Sequence, residues 1–423
     1  MNRLAQFLCY AQKVFALKTR LRGVRDDRPF ARIPTPAVLI SLVLGVVLRV
    51  SSYLDLAQQT QRRRWRHLCG LKGPLSDDTF EYVTERLSLG DLRHSLARIN
   101  QRLKANKALE SCKIGGLLFV SLDANEHFKS RSRCCEGCSQ RQIEAPDAHG
   151  QKHPVTEYYH RYVFAQINGP RFNALLDLEP IRPGEEECSA ALRLLGRLRR
   201  VYGPRFFDAI TVDAWYVQGP FLRAVEKLGW PWVVVIKQER MEAYQEALQL
   251  SQGQKPVLAF EDKEREKKVR LWEVKDLHLS EGYGGKLFRV VRSEEQWEET
   301  RIRGGNRRRQ FRQSQWLWGA SDGLDGYGAR VIYQAGHRRW GIENKAFNEL
   351  TQAYHLEHCY HHEPVSMLAQ MLILLLGFTI FTAFAERHNK LVRLGALTAK
   401  ALTKELDLAL EEDLPWEQWF HSG

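Results

Sequence analysis

Leu117-Leu118-Phe119-Val120-Ser121-Leu122-Asp123 and Phe207-Asp208-Ala209-Ile210-Thr211-Val212-Asp213 have the same form: a short apolar run that ends on an aspartate. Runs of this length and composition read as buried strands. Around them, Tyr158 to Ile167 and Phe172 to Leu178 are strand-like and joined through Asn168-Gly169-Pro170, a turn signal. Glu186 to Val201 carries Ala191, Leu194, Leu195 and Leu198 on one helical face. Phe221 to Leu228 reads as a short helix and Trp232 to Ile236 as a further buried strand. Three strands in succession followed by alternating helices and strands predict an α/β fold, a mixed sheet with helices on its faces. In open sheets of this kind ligands gather beyond the strand ends, which is where both aspartates fall.

Working outward, residues 1–110 read as a helical region with a DNA-binding role. Ser76 or Asp77 caps a helix near Thr79, with Tyr82, Val83, Leu87 and Leu89 as its apolar positions. Ahead of it, Arg62, Arg63 and Arg64 form a basic cluster suited to phosphates, although a solvated helix face would look the same. The first part of the core spans 111–237. Residues 238–330 break the alternation: strand-like pieces at Val269–Val274 and Leu287–Val291 lie between charged stretches, and Arg301 to Arg312, with Arg307, Arg308 and Arg309, is strongly basic. We read this as an inserted, mostly β domain. From 331 to 423 the reading is helical: a helix over Tyr333–Tyr354 carrying Glu343, an apolar helix from Val365, and an amphipathic end over Leu391–Leu410.

Lysine plus arginine outnumber aspartate plus glutamate by 63 to 50 in 423 residues, a net charge of +13 that suits a polyanionic partner. Eight cysteines are few for a disulfide scaffold of this length, and the first residues show no secretory pattern, so reduced thiols in a cytoplasm are expected. Pro36–Leu48 is too short to span a bilayer. Val365–Phe384 is about long enough, but Ser366, Gln370, Thr379 and Thr382 interrupt it, so a buried core helix is expected and no membrane partner.

Phosphodiester chemistry with two divalent ions about 4 Å apart requires convergent hard oxygen ligands. Asp123, Asp213 and Glu343 are the candidates. Each alone has an ordinary explanation as a turn former or a solvated helix acid; their joint placement in this element order favours a site. The pattern resembles the DDE transposases with a ribonuclease-H-like catalytic core, specifically the cut-and-paste insertion-sequence-4 superfamily. The matching stretches are Val120–Glu126, Ile210–Tyr216 and Tyr333 through His337-Arg338-Arg339-Trp340-Gly341-Ile342-Glu343 to Phe347, and the β insertion ahead of the glutamate is similar too. The resemblance covers about residues 75 to 385. It implies Asp123, Asp213 and Glu343 as catalytic ligands of Mg²⁺ or Mn²⁺, two ions in all, with Arg339 on a terminal phosphate. It also implies double-stranded DNA partners (element ends and target), a homodimer that synapses two ends, and a bacterial cytoplasm or nucleoid. The signature departs from the family at Gly336, where a tyrosine is expected, and at Leu350, where a lysine is; Lys345 is a weak substitute. Trp340, Trp316 and Trp318 are candidate stacking surfaces for a displaced base, with core packing as the alternative. Glu126 is a candidate outer ligand.

Cys135-x2-Cys138 with His149-x3-His153 has zinc-like spacing within a loop at 134–160, and Cys134 and His160 are alternative ligands. Such a site would be structural, because thiolates suit Zn²⁺ and not Mg²⁺. A second group, His355, His358, Cys359, His361 and His362, reads as the polar end of a helix. Two rival functions remain at this point: a ribonuclease-H-like nuclease without strand transfer, and a catalytically decayed zinc-containing DNA-binding protein.

Overall fold

A computed structural model describes residues 2–147, 150–237, 241–279, 281–303 and 306–411. Its contacts divide the chain into two units. The first comprises 1–112, 124–202 and 343–423, the second 113–123 and 203–342.

The first unit opens with seven helices: α1 (Arg3–Phe15), α2 (Leu17–Arg22), α3 (Thr35–Val47), α4 (Tyr53–Thr60), α5 (Arg63–Cys69), α6 (Asp77–Thr84) and α7 (Leu89–Ala105). Ser76 caps α6 by accepting from the Thr79 N–H, as its sequence predicts. Strand β1 (Phe119–Ser130) contributes its later part to this unit, followed by β2 (Ser139–Pro146), β3 (Lys152–Ile167), β4 (Ala174–Pro180) and α8 (Glu187–Tyr202). The second unit contains the start of β1, then β5 (Ala209–Val212), α9 (Gly219–Lys227), β6 (Trp232–Ile236), α10 (Glu242–Ser251), β7 (Leu258–Asp262), β8 (Lys267–His278), β9 (Leu287–Arg303), β10 (Asn306–Ser321) and α11 (Ala329–Arg339). The chain then returns to the first unit through a π-helical turn (Ile342–Phe347), α12 (Asn348–Tyr354), α13 (Pro364–Ala383), a second π-helical turn (Phe384–His388), α14 (Lys390–Arg393) and α15 (Ala399–Leu408).

Hydrogen-bonded strands follow the order β2-β3-β1-β5-β6-β10-β9-β8-β7, with β4 on β3. β3 and β4 are antiparallel, whereas β1, β5 and β6 run parallel. The order β4-β3-β1-β5-β6, with a helix before each of the last two strands, is the ribonuclease-H-like mixed sheet. Parallel strands covered on both faces must be apolar throughout, and β5 and β6 are buried at every position.

The insertion is mostly β, as expected, and continues the core sheet. β10 pairs antiparallel with β6, Trp318 opposite Val235, so β7 to β10 extend the existing sheet. An unpaired β6 edge would leave backbone donors and acceptors exposed, and the insertion satisfies them. α10, unforeseen in the sequence, packs on β8 and β9. Within the first unit, α3, α6 and α7 pack on α13. α13 is apolar around its whole circumference and needs cover on every side. Among the described residues, Pro364–His388 is the one helix long and apolar enough to cross a membrane, and 94% of its most apolar window is buried. None of the eight cysteines forms a disulfide.

Candidate active site

Two of the three acids come together because their strands are parallel neighbours in register. Val120 pairs with Ile210 and Ser121 with Thr211, whose hydroxyls hydrogen-bond at 2.8 Å. Asp123 and Asp213 each stand two residues beyond that last pair; Asp213 falls just past β5 as expected, whereas Asp123 lies within β1, which continues to Ser130. Asp213 caps the short turn that follows it by accepting from the Trp215 N–H at 2.9 Å. Arg339, at the end of α11, places Nη1 3.5 Å from Asp123 Oδ2. Its side chain is 2% exposed and that of Asp123 14%. A guanidinium buried this deeply requires an anionic neighbour, and here it offsets part of the negative charge that two adjacent carboxylates concentrate. The donor set is therefore hard oxygen with one fixed cation beside it, which fits divalent ions such as Mg²⁺. Glu343 lies in the π-helical turn that opens the C-terminal part of the first unit. The expected unbroken helix over Tyr333–Tyr354 is thus interrupted, and such turns recur at functional positions.

The aromatic candidates separate by burial. Trp318 is fully buried and belongs to the core, while Trp316 and Trp340 are half-buried, their rings 4.7 Å apart at 67°. Gly336 packs directly on the Trp318 ring, which occupies the space a tyrosine would need. The sequence did not single out Trp215, which is 64% exposed two residues past Asp213; a large apolar ring beside an acid is the signal that was available. Glu126 is engaged elsewhere, with Arg141 at 2.8 and 2.9 Å and Lys129 at 3.1 Å. Burial opposes its ionisation, but these cations hold its carboxyl below the usual range.

Of the basic residues, Arg62 faces Asp407 at 3.4 Å and Arg64 donates to the Leu410 carbonyl at 3.1 Å, so both are engaged within the first unit, while Arg63 is exposed. Arg307, Arg308 and Arg309 sit on the β9–β10 ribbon, paired with Ile302, Arg301 and Thr300. Arg309 is exposed and 3.7 Å from Glu298, whereas the side chains of Arg307, Arg308 and Lys345 lie outside those described.

The Cys/His group is assembled differently from its local spacing. Cys135 and Cys138 meet His160 and His362, their ligand atoms all within 4.8 Å of one another. His153 is exposed on β3 opposite Ala145, and His149 lies outside the described residues. His160 was an alternative ligand in the sequence; His362 came from the second histidine group, more than two hundred positions from Cys138.

Two buried histidines report on stability. His337 binds Glu295, which also holds Lys267 at 2.6 Å; His127 binds the Leu356 carbonyl through Nδ1. Burial lowers both imidazoles to about 4, against about 6.5 when unfolded. Between these values the unfolded chain binds the extra protons, so this stability is complete above pH 6.5 and declines as the pH falls toward 4. The expected loss is about 1 kcal/mol per pH unit for each histidine. Urea midpoints at pH 7.5 and 5.0 check it, and equal midpoints would contradict the assignment.

The family model described as a transposase DDE domain matches residues 183–379, a stretch that contains Asp213, Arg339 and Glu343 and stops short of Asp123. A search of curated proteins returns no match. Among solved structures, the chain is similar to the cryo-EM structure of the piggyBac transposase synaptic complex with hairpin DNA, at 13% identity and a TM-score of 0.41, over 97% of this chain and 80% of that one. Residues 183–379 thus match a transposase DDE domain.

Proposed function

We propose that this chain cleaves DNA at the ends of an insertion sequence and joins the freed ends to a target, as a cut-and-paste enzyme of the insertion-sequence-4 superfamily. The carrying observation is the register-matched pair Asp123 and Asp213 beside buried Arg339. Divalent ions, when bound, supply a water acidic enough to attack at neutral pH and charge to stabilise the departing oxygen. Asp123, Asp213 and Glu343 are the residues that would hold them. Arg339 holds Asp123 in place through its ion pair, and a guanidinium suits a phosphate oxygen. Trp215 offers a face for an unstacked base. Arg62, Arg63 and Arg64 and the ribbon carrying Arg307, Arg308 and Arg309 would contribute non-specific phosphate contacts. Little covalent work falls to the protein; the rate comes from positioning and charge. Two element ends brought together by a homodimer in a bacterial cytoplasm complete the reading.

The test uses DNA from the flanks of the coding region, where short inverted repeats are expected. With Mg²⁺ the full chain should nick that DNA at the repeat boundary. Given a pre-cleaved end, it should join the 3′-hydroxyl to a second duplex. Cleavage without joining would leave the nuclease reading; neither activity on either substrate would remove the proposal.

A further inference from the structure

Three separated pieces of the first unit converge on one point. Cys135 and Cys138 lie on the turn between β1 and β2, His160 on β3, and His362 just ahead of α13. The two sulfurs are 3.7 Å apart and the two Nε2 atoms 3.3 Å apart. Mixed pairs measure 3.3 Å (Cys135–His160), 3.2 Å (Cys138–His160) and 3.4 Å (Cys138–His362). A tetrahedral zinc, with bonds of about 2.3 Å to sulfur and 2.0–2.1 Å to nitrogen, has edges of about 3.8 Å, 3.3 Å and 3.5 Å for the same three kinds of pair. These five edges agree to within about 0.4 Å, and the sixth pair, Cys135 with His362, lies within 4.8 Å. Thiols are weak donors and two neutral imidazoles can share only one proton between facing nitrogens, so hydrogen bonding gives little reason for this convergence.

The surroundings are built for the same end. The Cys135 N–H points to Cys138 Sγ at 3.3 Å, a bond that favours thiolate over thiol. Gly137 leaves room for the His160 ring and Pro364; a Cβ there would stand 3.2 Å from His160 Cε1.

We propose that Cys135, Cys138, His160 and His362 bind one structural Zn²⁺. Binding releases a proton from each thiol, leaving two thiolates and two neutral imidazoles. Four protein ligands close the coordination sphere, so this ion takes no part in phosphodiester chemistry. Its effect is mechanical: it clasps the turn that ends at His362 to the β1–β3 ribbon. The segment running from Glu343 to α13 is then anchored at its far end to the strands that follow Asp123.

The experiment measures metal in the full reduced chain without DNA, so its result is independent of whether cleavage is found. One zinc per chain is expected, exchangeable for Co²⁺ with the visible absorption of a tetrahedral thiolate site. His362→Ala and Cys138→Ser should each weaken zinc binding by about 100-fold or more, while His153→Ala should match the parent. A metal-free parent, parental affinity in His362→Ala, or a loss in His153→Ala would each overturn the assignment. Should His362→Ala prove insoluble, His362→Cys provides a third thiolate and should intensify the cobalt charge-transfer band; an unchanged spectrum would remove His362 from the site.

Discussion

Asp213→Asn is expected to lower the DNA cleavage rate in Mg²⁺ by about 10³-fold or more while DNA binding stays within about twofold. The arithmetic rests on charge. A carboxylate ligand shared with divalent ions contributes several kcal/mol to the developing phosphorane, and about 4 kcal/mol corresponds to three decades in rate. The substitution is nearly isosteric, and the amide oxygen can still accept from the Trp215 N–H, which now bonds Asp213 at 2.9 Å. The cap and the parallel β1–β5 pairing should therefore survive, and near-parental melting would separate a chemical loss from a folding one. Cleavage of a labelled duplex, alongside a mobility-shift titration, reads both quantities. A rate within tenfold of the parent would take Asp213 out of the mechanism.

Gly336→Ala is expected to be the most destabilising single-carbon change near the site. A Cβ at that position would lie 2.2, 2.6 and 2.7 Å from three atoms of the Trp318 ring. The ring has nowhere to go. It is fully buried, tilted against His337 at 4.8 Å and stacked on Trp316 at 6.0 Å. Its strand is fixed on both sides, with Trp318 opposite Val235 of β6 and Val291 of β9. Overpacking a tight core typically costs about 1–3 kcal/mol and here should reach the top of that range. The gain in helix propensity from replacing glycine offsets only about 1 kcal/mol. For a chain of 423 residues a fall of about 2 °C in the thermal midpoint is expected. A midpoint equal to or above the parent would mean that α11 can shift off β10.

The core strands could be read from the sequence because burial on both faces forces a continuous apolar run, which breaks at Asp123, where β1 becomes only partly buried, and at Asp213, just past β5. Elements without an apolar signal escaped. β2 alternates half-buried and exposed positions, yet its first six residues are Ser, Gln, Arg, Gln, Ile and Glu, so the alternation leaves little trace in hydrophobicity. α10 is similarly polar. The insertion's strands were visible singly, but their docking on β6 depends on a pairing between residues some eighty positions apart, which no local pattern encodes. The same limit explains the metal ligands: spacing favoured His153 because it is near in sequence, whereas the fold brings in His362. Gly336, where the family signature has a tyrosine, made sense only once Trp318 was seen in the space above it.

α13 has a further consequence for how the chain is made. While it leaves the ribosome, a twenty-residue apolar segment is indistinguishable from a membrane span to any machinery that senses hydrophobicity alone. The helices that sheathe it, α3, α6 and α7, all precede it in the chain. At typical synthesis rates they emerge on the order of 10–50 s earlier. The order of synthesis thus prepares the sleeve before the greasy rod arrives, and shuffling those helices behind it would send the nascent chain toward mistargeting or aggregation.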